Sequence, residues 1–276
     1  MCSLERESRH LEVTPQSKFD EGKYQLMSLL LILVLVVLYC WISKKQYENT
    51  DYYRQTHNSF HKSCFDKGTR GEFLTWKYLQ KLSGYKKYLF NCYLPKDDGE
   101  TTEIDMILLH ESGIYVFESK NYSGWIFGTE TQKYWTQTLP KGRGKSRKEH
   151  FFNPIIQNKV HLKWLSKYLG IEIGQLYSYI VFSDRCTLKD ITLTSGRHHV
   201  INRYDILPAV SSSAKAIGIK MTQEEIDNLY CKLQPLTQVD ESRKLAHIEN
   251  IQRKKKPQKV TNHQPCWWFD VDPTGS

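Results

Sequence analysis

The first feature of the hydrophobic pattern is a long apolar segment near the start of the chain. Leu26–Ile42 is apolar and lies in a window, Tyr24 to Ser43, without a charged residue. Because a helix rises 1.5 Å per residue, about 20 such residues match the hydrocarbon thickness of a bilayer. The segment is longer than the apolar region of a signal peptide and lacks a small-residue cleavage site. We predict a transmembrane helix over 24–43, preceded by a flexible tail over 1–23.

A second pattern predicts a β-hairpin in the middle of the chain. The apolar runs Ile104–Leu109 and Ile114–Phe117 flank a short polar segment that ends in Gly113. Two apolar runs separated by a polar turn with glycine are typical of antiparallel strands. If Leu109 faces Ile114, counting back by pairs places Asp105 opposite Glu118.

Such a pair of carboxylates repels, because like charges directly opposite each other on a sheet are destabilising. Lys120 shares the strand face of Glu118, and Glu103 shares that of Asp105. Carboxylate oxygens are the ligands that Mg²⁺ or Mn²⁺ prefers, and a neighbouring lysine can orient a water or stabilise developing charge. The alternative is a solvated sheet face on which Lys120 simply pairs with one acid.

The remaining patterns predict an α/β fold with a mixed central sheet flanked by helices. Phe73, Trp76, Leu79 and Leu82 recur at helical spacing, which places Glu72 in the first turn of a helix. Asn153-Pro154 begins a second helix, whose apolar stripe is Ile156, Val160, Trp164 and Leu165, and Thr222–Leu233 is a third. Further strands are predicted at Tyr88–Leu94, Trp125–Phe127, Lys133–Gln137, Leu176–Phe182 and His199–Ile201.

Five ordered motifs between Gly68 and Gly170 resemble the nuclease-related domain (NERD) family of the PD-(D/E)XK nuclease-like superfamily. They are Gly68-Thr69-Arg70-Gly71-Glu72, Glu103-Ile104-Asp105, Glu118-Ser119-Lys120-Asn121 with Ser123-Gly124, Tyr134-Trp135, and Asn153-Pro154 with Gln157 and His161. The resemblance implies a restriction-endonuclease-like fold and a metal site formed by Asp105, Glu118 and Glu72. It also implies a catalytic role for Lys120 and an auxiliary contact from Gln157. Related nucleases carry a tyrosine four residues after that glutamine, and His161 stands there instead, so its role stays open.

The net charge of +9 directs attention to a basic segment, Leu139–His150. We interpret it as a flexible loop in which Lys141, Arg143, Lys145, Arg147 and Lys148 contact phosphates of nucleic acid. The alternative is a solvated loop. For the aromatic pair Tyr134-Trp135, packing is favoured over stacking on bases.

Charge and cysteine usage also divide the chain and place it in the cell. The lysines at 44 and 45 follow the apolar segment, and seven scattered cysteines without a CxxC pair favour a reducing compartment. We therefore predict a single-pass membrane protein with a cytoplasmic body. Its parts are a juxtamembrane helix or linker over 44–67, the nuclease-related domain over 68–235, and a basic tail over 236–276 that ends in Cys266-Trp267-Trp268-Phe269.

Two hypotheses about function follow. In the first, the protein hydrolyses phosphodiesters, in DNA, with a divalent metal. In the second, it is a membrane-tethered module that binds nucleic acid or acts as a scaffold on the same fold without turnover.

Overall fold

The computed structural model describes residues 15–255, and the fold within this range is α/β. The helices are α1 (Pro15–Glu48), α2 (Asp51–Thr56), α3 (Phe60–Phe65), α4 (Lys67–Leu79), α5 (Pro154–Leu169), α6 (Ile206–Ile217), α7 (Gln223–Leu233) and α8 (Glu241–Lys255). The strands are β1 (Lys86–Pro95), β2 (Thr101–His110), β3 (Gly113–Lys120), β4 (Gly124–Thr129), β5 (Tyr134–Gly142), β6 (Lys145–Phe152), β7 (Leu176–Phe182), β8 (Cys186–Thr192) and β9 (His198–Asn202).

The strands form two mixed sheets rather than one. The first has the order β1-β2-β3-β7-β9, in which β1, β2 and β3 are antiparallel and β7 and β9 run parallel to β3. The second has the order β6-β5-β4-β8. The chain enters the second sheet at Gly124, where φ is +78° and a Cβ would lie 2.3 Å from the Thr138 carbonyl oxygen. The predicted α/β class with flanking helices is confirmed, and the second sheet is an addition to it.

Both faces of the first sheet are buried, because β1, β2 and β3 carry apolar residues at successive positions. One face packs on α4 and α6 through residues that include Trp76, Phe90, Phe117, Tyr179 and Val210. The other face packs on α5 and α7 through residues that include Leu89, Ile107, Val116, Leu165 and Ile226. The hairpin that carries the acidic residues therefore lies in the middle of a helix–sheet–helix sandwich.

The helix α1 contains the predicted membrane segment and continues beyond both of its ends. Lys23–Glu48 is long and apolar enough to cross a membrane, and its apolar window is not buried by the rest of the protein. Residues 15–22, predicted as tail, form the first turns of α1. The rest of that predicted tail, residues 1–14, lies outside the described residues.

The segment 44–67, predicted as a juxtamembrane helix or linker, is part of the folded body. Tyr47, at the end of α1, is buried against Tyr53, Phe60 and Phe73. Tyr52 of α2 is fully buried against Phe73, Trp76 and Phe90. These aromatic side chains supply the apolar surface that packs the segment against α4. Polar residues separate them in the sequence, so no regular apolar pattern predicts that the segment belongs to the body.

The predicted basic tail also begins in structured chain. Residues 241–255 form α8, whose His247 is buried beside Tyr93 and Thr101. The cluster Cys266-Trp267-Trp268-Phe269 lies outside the described residues.

Candidate active site

The β2–β3 hairpin has the register that the sequence predicted. Leu109 pairs with Ile114, and the paired positions run to Met106 and Phe117. The next positions in this register are Asp105 and Glu118, where the regular ladder stops. There the side-chain Oδ2 of Asp105 accepts a hydrogen bond from Ser119 N at 2.8 Å. The β1–β2 ladder is also interrupted beside Asp105, because Asn91 of β1 adopts a left-handed conformation with φ 50°.

Glu118 is buried and makes two charge-assisted contacts. Its Oε1 accepts from Lys120 Nζ at 2.5 Å, and its Oε2 lies 3.1 Å from His161 Nε2. Burial raises the pKa of Glu118, but Lys120 and His161 outweigh burial and hold that pKa below its ordinary value. Burial lowers the pKa of Lys120, yet Glu118 and Asp105 bring it to about 12. Glu118 and Lys120 are therefore both charged at neutral pH.

Asp105 behaves in the opposite way. Its pKa lies well above the ordinary value, first because of burial and then because of the charges of Glu118 and Glu72. The two carboxylates, between which we expected repulsion, thus have pKa values shifted in opposite directions. Protonation of Asp105 is therefore favoured over protonation of Glu118, whose negative charge is held next to Lys120.

Glu72 lies at the same site, on α4. Its Oε2 accepts from the Tyr52 hydroxyl at 3.2 Å and from Asn91 Nδ2 at 3.4 Å. Burial, followed by the charge of Glu103, raises the pKa of Glu72 to about 7. The prediction of a first-turn position is corrected: α4 begins at Lys67, and Asp66 caps it by accepting from Thr69 N. The position of Glu72 is therefore set by its contacts, not by the helix terminus.

The helix α5 contributes Gln157 and His161. Gln157 Oε1 accepts from Lys120 Nζ at 3.0 Å, and His161 Nδ1 lies 2.8 Å from Thr102 Oγ1. The buried apolar residues of α5 include Ile155, Leu162 and Leu165, whereas Val160 of the predicted stripe is exposed. The helix is therefore rotated about its axis relative to the prediction, and this rotation buries His161 against Glu118. The four-residue spacing from Gln157 to His161 was the signal in the sequence for this contact.

These residues open onto a cleft of about 900 Å³. Asp105, Lys120, Gln157 and His161 line one part of it, and Tyr134 and Phe152 line another. From α8, His247 and Asn250 also border the cleft. The structure therefore places all the predicted catalytic residues at one site, with Asp105, Lys120 and Gln157 reaching the cleft itself. The structure also brings three further residues to the site: His161 contacts Glu118, and Tyr52 and Asn91 contact Glu72.

The donor chemistry of the site fits a hard divalent cation. Among residues 15–255, no group of three or more His, Cys, Asp or Glu side chains is arranged as a ready metal site. Nevertheless, Glu72, Asp105 and Glu118 are close enough for Asp105 to respond to the other two charges, and Lys120 acts on both Asp105 and Glu118. A cation bound to these oxygens would offset the remaining negative charge.

The basic segment is a β-hairpin and not a flexible loop. It comprises the end of β5 and most of β6, which pair from Tyr134–Phe152 to Gly142–Lys145. The five predicted phosphate-contact residues are all exposed: Lys141, Arg143, Lys145, Arg147 and Lys148. Arg147 forms an ion pair with Glu149.

The two residues of the Tyr134-Trp135 motif have different environments. Trp135 is fully buried, stacks with Phe182, and donates from Nε1 to the Thr129 carbonyl at 2.9 Å. Packing is thus confirmed for Trp135. Tyr134 is 48% exposed and borders the cleft.

Comparisons with known proteins identify the family of the chain. A family model described as the nuclease-related domain, NERD, matches residues 67–183. The chain is 30% identical over 189 residues to an uncharacterized protein of Bacillus anthracis, and the alignment covers 68% of this chain and 85% of that protein. No solved structure matches the chain significantly.

Proposed function

Because this chain belongs to the nuclease-related domain family, we propose that it hydrolyses phosphodiester bonds of DNA with a divalent metal. The observation that carries the proposal is the arrangement of Asp105, Glu118 and Lys120 beside a cleft of about 900 Å³. Members of the family generally use divalent metals.

In this proposal, Asp105, Glu118 and Glu72 would hold Mg²⁺ or Mn²⁺, which supplies a water of lowered pKa and neutralises phosphate charge. Glu118 is oriented by Lys120 and His161, and Asp105 by Ser119 N. Fixed carboxylates need little reorganisation when they bind an ion.

Lys120 has the second role. Its ammonium group is held between Glu118 Oε1 and Gln157 Oε1 and keeps its charge at neutral pH. It would orient the attacking water and stabilise negative charge on the phosphate oxygens in the transition state. Gln157 would position Lys120 and provide an auxiliary polar contact.

DNA would be held by the exposed basic side chains of the β5–β6 hairpin. Lysine and arginine contacts to phosphate carry affinity that falls with salt and does not depend on base sequence. Since the hairpin belongs to the sheet that borders the cleft, such contacts would bring the backbone towards Asp105 and Lys120.

The alternative is a module that binds nucleic acid, or acts as a scaffold, without turnover. One observation favours it. Both oxygens of Glu118 already have partners, Lys120 and His161, so this carboxylate is satisfied without metal.

A cleavage assay separates the two functions. Full-length protein in detergent micelles would be incubated with supercoiled plasmid and Mg²⁺ or Mn²⁺. We expect nicking that a chelator abolishes, that Lys120→Ala lowers by at least about 100-fold, and that Lys215→Ala, an exposed lysine of α6, leaves unchanged. Plasmid binding without chelator-sensitive, Lys120-dependent nicking would select the alternative.

We also propose that the apolar part of α1 spans a membrane and that the body is cytoplasmic. The full chain should then resist carbonate extraction. Topology is best tested with Cys231, which is exposed, rather than Cys186, which is buried and whose thiol pKa burial raises to about 11. In a variant that retains only Cys231, labelling of intact cells by an impermeant thiol reagent would refute the cytoplasmic placement.

A further inference from the structure

Two aromatic side chains lie next to each other on the cleft wall. Tyr134 of β5 pairs directly with Phe152 of β6, and their ring centroids are 6.2 Å apart with the ring planes at 77° to each other. Both remain solvent-accessible, Tyr134 to 48% and Phe152 to 41%. Both line the cleft that contains Asp105 and Lys120.

The adjacent aromatic pair on the same two strands, Trp135 and Phe151, packs into the core instead. Trp135 and Phe151 face the other side of the hairpin, where both pack with Phe182, although Phe151 also reaches the border of the cleft. The core of this sheet is therefore supplied by that face. The Tyr134–Phe152 pair contributes apolar surface that the fold leaves uncovered, beside a polar site.

The charges around the pair suit a phosphate backbone. Lys133 Nζ lies 5.4 Å from the centre of the Tyr134 ring. Residues two apart share a strand face, so His150 and Lys148 extend the Phe152 side of the hairpin, and His150 contacts Thr136 across the strands at 3.2 Å. Arg147 lies on the opposite face, where it pairs with Glu149.

We propose that Tyr134 and Phe152 form a stacking platform for an unpaired base, which lies flat on the Tyr134 ring and against the side of Phe152, so that the cleft takes single-stranded DNA. Aromatic side chains interleaved with basic groups bind single strands, since every base offers a flat face to stack on. Bases inside a duplex are already stacked on each other and cannot reach such a surface. This inference rests on the proposed function, because it specifies the substrate of that site.

The test compares single-strand and duplex binding without cleavage. Full-length protein in detergent micelles, with chelator, would be titrated into fluorescein-labelled oligothymidylate and into a labelled duplex hairpin, with fluorescence anisotropy as the readout. Tyr134→Ala should weaken oligothymidylate binding by about 5- to 150-fold, the effect of losing one stacked base. Duplex binding, which depends on phosphate contacts, should change by less than about twofold.

Two further variants make the result specific. Tyr134→Trp keeps an aromatic face and should retain oligothymidylate binding. Trp125→Ala is the matched control, because Trp125 belongs to the same sheet, is 52% exposed, has Lys189 over its ring at 5.8 Å, and does not line the cleft. It should bind oligothymidylate as the wild type does.

The inference is overturned if Tyr134→Ala binds oligothymidylate as well as the wild type does, which would leave the platform to a protein or another occupant. Equal losses for single strand and duplex, or the same loss in Trp125→Ala, would also overturn it. Hydrolysis is tested separately by incubating wild-type protein and Mg²⁺ with both supercoiled plasmid and labelled oligothymidylate. Selective loss of single-strand binding in Tyr134→Ala, with neither substrate cleaved by the wild type, would leave the platform standing while the hydrolysis fails.

Discussion

The unequal charge state of the two central carboxylates predicts opposite effects of two similar mutations. The strand register alone suggests that removing either charge should relieve repulsion between Asp105 and Glu118. The contacts predict otherwise. Glu118→Gln removes the negative charge that faces Lys120. Asp105→Asn replaces a carboxyl group that accepts from Ser119 N and whose ionised form is disfavoured by burial and by the charge of Glu118.

The magnitudes follow from these contacts. Glutamine can still accept from Lys120, so Glu118→Gln should cost less than the 3–5 kcal/mol typical of a broken buried ion pair. Two charge-assisted hydrogen bonds weaken, and we expect a loss of about 2–4 kcal/mol. Asparagine in place of Asp105 can accept from Ser119 N. Because the ionised form of Asp105 is already disfavoured, asparagine removes little charge, and stability should stay equal or rise by no more than about 1 kcal/mol.

Thermal unfolding at neutral pH measures the difference. Full-length protein and both variants would be followed by near-ultraviolet circular dichroism in detergent with chelator. The expected loss lowers the midpoint of Glu118→Gln by roughly 4–16 °C, while Asp105→Asn unfolds at the wild-type temperature or above. If Asp105→Asn were the less stable variant, the charge assignment within the site would be wrong.

Three other predictions rest on neighbouring contacts. First, the folded-state pKa of Glu72, about 7, lies above its ordinary value, so the contribution of this carboxyl group to the free energy of unfolding is complete at acidic pH and is lost as pH rises towards 7. Glu72→Gln should therefore reduce the loss of metal-free stability between pH 5 and 7. Urea titrations that gave the same pH profile for wild type and Glu72→Gln would contradict this. Second, Tyr52→Ala should destabilise the body by about 3–5 kcal/mol, whereas Tyr52→Phe, which keeps the ring in the core, should cost about 1 kcal/mol; equal urea midpoints for wild type and Tyr52→Ala would show that α2 does not belong to the core. Third, Mg²⁺ at 100 times its Kd should stabilise the wild type by about 2.7 kcal/mol and Glu118→Gln by less, and an equal gain in melting temperature would exclude Glu118 as a ligand.

The sequence predicted those features that depend on local pattern. The β2–β3 register followed from the apolar alternation and the turn as far as Met106 and Phe117, where the ladder stops one position before Asp105 and Glu118. These two carboxylates are nevertheless close enough for the charge of Glu118 to raise the pKa of Asp105. The start of α5 followed from Asn153, whose Oδ1 accepts from Ile155 N. Both signals operate within a few residues, so a single sequence suffices to read them.

Features that depend on distant contacts could not be read in the same way. The β6 segment has a highly charged sequence, and it forms a strand because β5 pairs with it. The buried state of His161 depends on a rotation of α5 that is set by its packing on the sheet. The environment of Glu72 is formed by Tyr52 and Asn91, 20 and 19 residues away. In each case the determining partner lies on another element.

The continuity of α1 has a consequence for how the protein would meet the nucleic acid of the proposed function. Tyr47 is buried in the body only four residues after Ser43, the end of the uncharged window, which corresponds to about 6 Å of helical rise. With the helix in a bilayer, no flexible linker would separate the membrane segment from the body, so the body would lie directly at the membrane surface at a fixed height. Its search would be confined to two dimensions, so a polymer would have to come to the membrane to be bound.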